Sequence, residues 1–141
     1  MKRNQKGFTL MEMLIVVAII AVLVAIAIPT FTAQLHKARV AADWANVRAY
    51  YAQIQADYML TGEKNSRVPI EGTLDGTYDL ENYTRITFLD GATVKLQAGA
   101  YYVEFNEEDG DECRGYTVVY NCLSHHDGHY LILGYDKYTT P

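Results

Sequence analysis

Cysteine and proline are scarce in this chain, with two Cys and three Pro among 141 residues. Cys113 and Cys122 form no CxxC pair and share no spacing with histidine that suits a structural zinc site. That speaks against a zinc-stapled domain. Basic residues are also few beyond the start. Lys2, Arg3 and Lys6 precede Gly7, leaving 9 basic against 17 acidic residues, a net charge of −8, in the remainder. An acidic body has no electrostatic reason to bind nucleic acid or an anionic membrane face. No glycine-rich stretch has the form of a phosphate cradle, and no nucleophile–base arrangement is evident. An enzyme is therefore not expected, and no cofactor is implied.

The apolar residues are unevenly spread. Met13 to Ile28 is an unbroken run of Met, Leu, Ile, Val and Ala. As a helix, residues 8–28 span roughly 31 Å, close to a bilayer core. The cationic stub at Lys2, Arg3 and Lys6 stays on the cytoplasmic side, so the C-terminal body is exported. Two readings fit. One is a secretory signal peptide, for which Ala25-Ile26-Ala27 offers a small-x-small cut. The other is a retained anchor. The length of the run and the carboxylate of Glu12 both weigh against a signal peptide.

The stretch GFTLMEMLIVVAIIAVLVAIAIP resembles the N-terminal signature of type IV prepilins and pseudopilins. It has a short basic leader ending in Lys6-Gly7, then Phe8, a glutamate five residues after the glycine, and an apolar run. The resemblance implies cleavage between Gly7 and Phe8 by a prepilin peptidase and N-methylation of Phe8. It implies an anchor helix that later becomes filament core, an assembly role for Glu12, and an assembly platform and minor pilins as partners. An unpaired carboxylate near hydrocarbon is costly unless it protonates or meets a cation. The resemblance supplies that cation, the Phe8 amine of a neighbouring subunit.

Beyond Pro29, which lacks the N–H that would bond the Ala25 carbonyl and so predicts a kink, the pattern stays helical. Val40, Trp44, Val47, Tyr51, Ile54 and Tyr58 recur at steps of four and three and form an apolar stripe, with Asp43, Gln53 and Asp57 off it. Thr61-Gly62 then ends the helix. Residues 62–84 read as loop. Arg85–Leu89 and Ala92–Gln97 flank Asp90-Gly91 as a two-residue hairpin turn, and Ala100–Phe105, Tyr116–Asn121 and Tyr130–Tyr135 read as strands. The expected fold is α+β, a long N-terminal helix on a small antiparallel sheet. Its divisions are a leader (1–7), a transmembrane or filament-core helix (8–29), an amphipathic helix (30–61) and a head (62–141).

The resemblance also implies a disulfide between Cys113 and Cys122. Against it, nine steps of straight strand separate Cα atoms by roughly 30 Å, while a bridge needs about 4.4–6.8 Å. The chain must double back, or the pair is not bridged. The acidic run of residues 106–112 invites calcium, and His125, His126 and His129 invite a transition metal; a solvated hairpin tip and a plain turn explain both, so no metal is assigned. The sequence thus points to a pilin forming a homo-oligomeric surface filament from a single-pass membrane precursor. A pseudopilin of a type II secretion or competence system is the alternative, and a secreted or anchored binding domain the reading from another class.

Overall fold

A computed structural model describes residues 7–70, 83–107, 115–123 and 128–134. The fold is α+β. One helix, α1 (Leu10–Thr61), precedes β1 (Arg85–Thr87), β2 (Thr93–Lys95), β3 (Gly99–Asn106), β4 (Gly115–Cys122) and β5 (Tyr130–Leu133). The chain divides into two compact units, Met1–Lys37 and Ala38–Pro141, and α1 contributes to both.

In the first unit α1 is a bare apolar helix. Every residue from 7 to 35 is exposed, including the whole Met13–Ile28 run. The helix continues through Pro29 rather than stopping there. Thr30 Oγ1 donates to the Ala27 carbonyl at 2.9 Å and to the Ile26 carbonyl at 3.3 Å, and Thr32 Oγ1 donates to the Pro29 carbonyl at 3.0 Å. Threonine hydroxyls thus bond backbone carbonyls beside the proline, although none of these is the Ala25 carbonyl that a Pro29 N–H would have served.

In the second unit α1 buries Val40, Asp43, Val47, Tyr50 and Ile54, steps of three and four that keep one face inward. Trp44, Tyr51 and Tyr58 flank this face and are partly buried against the core. The buried stripe is therefore turned from the one the sequence suggests, and the correction concerns Asp43. Expected off the stripe, it lies in it with 1% exposure. Its carboxylate is tolerated there because donors surround it. Oδ1 accepts from the Gln97 amide at 2.8 Å, and Oδ2 accepts from the Ala98 amide at 2.7 Å and the Tyr120 hydroxyl at 3.0 Å.

Other polar helix residues also reach the β structure. Gln53 Oε1 accepts from the Leu89 amide at 2.9 Å, and Gln55 Oε1 accepts from the Tyr116 amide at 3.1 Å. The helix ends as expected. Gly62 takes φ 70°, and its amide donates to the Tyr58 carbonyl at 2.8 Å.

Strands β1 and β2 pair antiparallel through Arg85↔Lys95, Ile86↔Val94 and Thr87↔Thr93. Both are shorter than the sequence suggests. The Phe88 amide bonds the Ala92 carbonyl and the Gly91 amide bonds the Phe88 carbonyl, at 2.8 and 2.9 Å. The connection is thus a three-residue loop, Leu89-Asp90-Gly91, with Gly91 at φ 89°, and not the expected two-residue turn. At the other end the Gln97 and Ala98 amides turn to Asp43, so β2 stops at Lys95.

The second sheet has the order β3-β4-β5, antiparallel throughout. β3 and β4 pair over their full length, from Gly99↔Cys122 to Asn106↔Gly115. Tyr101 and Val103 of β3 and Tyr116, Val118 and Tyr120 of β4 join Ile86, Leu96 and the helix face in one core. Aromatic rings meet edge to face within it. Tyr50 packs on Tyr101 and Phe88, and Tyr58, Phe105 and Tyr116 form a mutual trio with centroids 5.0–6.1 Å apart. The tyrosine abundance is thus absorbed largely by packing. β5 ends at Leu133, shorter than the expected Tyr130–Tyr135 strand: Gly134 leaves the strand at φ 103°, and Tyr135 lies outside the described residues.

Candidate functional site

The residues singled out in the sequence gather at the start of α1. Gly7 and Phe8 lie outside helix and are exposed, Phe8 at 77%. Leu10 is the first helical residue. Thr9 and Glu12 close the helix end on each other. Glu12 Oε2 accepts from the Thr9 amide at 2.8 Å and from Thr9 Oγ1 at 2.9 Å, while the Glu12 amide donates to Thr9 Oγ1 at 3.2 Å.

This is a capping box, in which an N-cap threonine and a glutamate three residues on satisfy each other's backbone donors. The negative charge also lies in the first turn, where the helix dipole favours it. Sequence reasoning found Glu12 but missed this partner. The signal was present as Thr9-Leu10-Met11-Glu12, a T-x-x-E directly before an apolar run.

From Met13 onward α1 presents only apolar side chains up to Ile28, on every side. A helix apolar all round is buried in a protein interior or in a membrane. The described helix is long and apolar enough to cross a bilayer. Exposed apolar surface on this scale marks a surface that other molecules cover.

The remaining sequence candidates fall elsewhere. Pro29 lies within α1. Cys122 ends β4, with Sγ 3.4 Å from the Ala98 carbonyl oxygen, while Cys113, its expected disulfide partner, lies outside the described residues. Of the acidic run only Asn106 and Glu107 are described, with Glu107 3.8 Å from Lys64 Nζ. His125 and His126 also lie outside the described residues, and His129 stands edge-on to the Trp44 ring.

A capped, apolar, exposed N-terminal helix joined to a small antiparallel head defines a class. Residues 2–28 match the family described as the prokaryotic N-terminal methylation motif. Over 105 residues the chain is 36% identical to the type IV major fimbrial protein FimA of Dichelobacter nodosus, covering 71% of this chain and 67% of that one. Over 77 residues it is 43% identical to the type IV narrow pilus major component PilA5 of Thermus thermophilus, covering 51% of this chain and 66% of that one. No solved structure matches the chain. The chain belongs to the type IV pilin family.

Proposed function

We propose that this chain is a structural subunit of a type IV pilus. It is cut between Gly7 and Phe8 by a prepilin peptidase, methylated on the Phe8 amine, and polymerised through α1 with its head outside the cell. The observation that carries this reading is the α1 surface, apolar on every side from Met13 to Ile28 and interrupted at its mouth by one capped carboxylate. Such a helix can bury its surface in a bilayer or against copies of itself, so one segment serves as anchor and then as filament core.

Glu12 has two successive partners in this account. In the subunit it caps its own helix through Oε2. In the filament it faces the Phe8 amine of a neighbour, where leaving either charge unpaired in an apolar surround is strongly penalised. The pair therefore selects axial register more than it adds stability. Pro29 contributes a bend, since no amide there closes onto Ala25. The role is structural rather than enzymatic.

The alternative within the family is a pseudopilin, whose filament stays short. The two relatives bear names that describe major components of pili or fimbriae, which favours the pilus reading. Electron microscopy of cells labelled with antibody to the head tests it. Label along filaments extending from the surface is expected. Label confined to the envelope in cells that express and process the chain supports the pseudopilin instead.

A further inference from the structure

The end of β4 brings a thiol and an imidazole together. A ring nitrogen of His129 lies within 4.8 Å of Cys122 Sγ. The backbone fixes this approach, since the Cys122 amide donates to the His129 carbonyl at 3.0 Å. Ala98 closes the group on a third side. Its carbonyl accepts from Cys122 Sγ at 3.4 Å and from the Leu123 amide at 3.0 Å. Cys122 and His129 are both half-buried, and the Trp44 ring stands edge-on to the imidazole with centroids 6.4 Å apart. A histidine that the sequence groups with two neighbouring histidines is thus seated against the cysteine that ends β4.

Thiolate sulfur and imidazole nitrogen are ligands for soft and borderline metals, whereas calcium and magnesium take oxygen. Metal bonds of about 2.3 Å to sulfur and about 2.0 Å to nitrogen hold two such donors at most about 4.3 Å apart. The pair therefore stands close to bonding distance of a common ion. Structural zinc takes four protein ligands, and two side chains fall short of that. Monovalent copper is selected by thiolate and accepts fewer ligands. Charge points the same way. One thiolate and Cu(I) sum to zero, which suits a half-buried place beside an indole, while a divalent ion leaves a net positive charge to be desolvated.

We propose that Cys122 and His129 bind Cu(I), with the Ala98 carbonyl as a weak third donor. That carbonyl has two lone pairs, and the Leu123 amide takes one. The incoming ion replaces the thiol proton, which leaves to solvent, and the neutral imidazole gives its lone pair. A thiolate without the ion would face the Ala98 oxygen, a repulsive contact. With the cation between them the same contact is attractive. The bound ion then ties the end of β4 to the residue that precedes β5. This site is independent of the filament reading above.

The test titrates the detergent-solubilised full chain with Cu(I) under anaerobic, reducing conditions, against a chromophoric Cu(I) chelator. Stoichiometric uptake is expected. Cys122→Ser keeps a donor to the Ala98 carbonyl, and His129→Phe keeps a ring against Trp44. Each should weaken binding at least about tenfold, since loss even of groups that merely orient a ligand costs that much. Affinity should fall as pH is lowered, because protons compete for the sulfur and the nitrogen. Saturating Cu(I) should raise the urea midpoint of the parent and leave that of Cys122→Ser unchanged. Near-UV circular dichroism of each purified chain checks that the head is folded. Parent-like binding by folded Cys122→Ser or His129→Phe overturns the site, as does uptake of zinc in preference to Cu(I). A parent chain recovered from cells with Cys122 bridged to Cys113 also overturns it, because a disulfide leaves no thiolate to bind the ion.

Discussion

Asp43 and Gly99 meet at one side chain, Tyr120. The Tyr120 hydroxyl donates to Asp43, and a Cβ placed on Gly99 would run into the Tyr120 ring and the Asn121 carbonyl. Replacing Asp43 by Ala removes the acceptor for two backbone amides and a phenol, all at the junction of β2 and β3. Unmet buried donors cost roughly 1–3 kcal/mol each, so Asp43→Ala should destabilise the head by about 3 kcal/mol. Urea unfolding of the detergent-solubilised chain, followed by near-UV circular dichroism, reads that loss. Two glycines give a matched contrast. Gly99→Ala forces Tyr120 from its place and should cost about 2–3 kcal/mol through overpacking. Gly91→Ala meets no atom within 4 Å but must hold φ 89°, a backbone cost of about 1–2 kcal/mol. The Gly99 variant should also weaken the Tyr120–Asp43 contact and so be non-additive with Asp43→Ala, whereas the Gly91 variant should add simply.

The helix–sheet interface gathers tyrosines whose phenols are held neutral. Burial pushes Tyr101 up to about 12. Burial also pushes Tyr50 and Tyr120 well above the usual phenol range, with the Asp43 carboxylate adding repulsion at Tyr120. In the unfolded chain these groups ionise near pH 10. Below that pH both states hold the proton, and the packing energy is fully available. Above it the unfolded chain releases protons that the folded head keeps, so stability falls as pH rises from about 10 toward about 12. Urea midpoints measured across this range should decline steeply, and the phenolate absorbance of the folded chain should lag behind that of the unfolded one. A flat profile would mean that these rings are solvated. Much of this element structure was legible beforehand, because period and turn chemistry are local. All five strands and the stop at Gly62 follow from alternation and punctuation, whereas the buried helix face, with Tyr50 and Asp43 in it, is turned from the expected stripe. Asp43 was not legible, because its partners lie more than fifty residues away and no local pattern marks a carboxylate for burial. The three-residue loop at Leu89–Gly91 escaped for a related reason: Asp-Gly is compatible with either loop length, and the register of the flanking strands decides. The Thr9–Glu12 cap was local and readable, but the carboxylate invited a partner in another molecule first.

At the scale of the whole molecule, the proposed function asks one segment to satisfy a bilayer and then a polymer. Glu12 is where the two demands separate. Glutamine is competent in a capping box but carries no charge. Glu12→Gln should therefore preserve the helix start, membrane insertion and processing, while filaments decline nearly as far as with Glu12→Ala. Normal filaments from the glutamine variant would assign the residue to capping alone and remove the pairing with a neighbour's amine. Cell fractionation, together with counts of sheared filaments from both variants, makes the comparison. The most direct measurement of the central claim is the intact mass and N-terminal fragment spectrum of the chain recovered from sheared filaments. The account predicts a chain beginning at Phe8, methylated on its amine, with the apolar helix retained. A mature chain beginning at Ile28, cut after Ala25-Ile26-Ala27, would contradict it, because the helix assigned to the filament core would have been discarded.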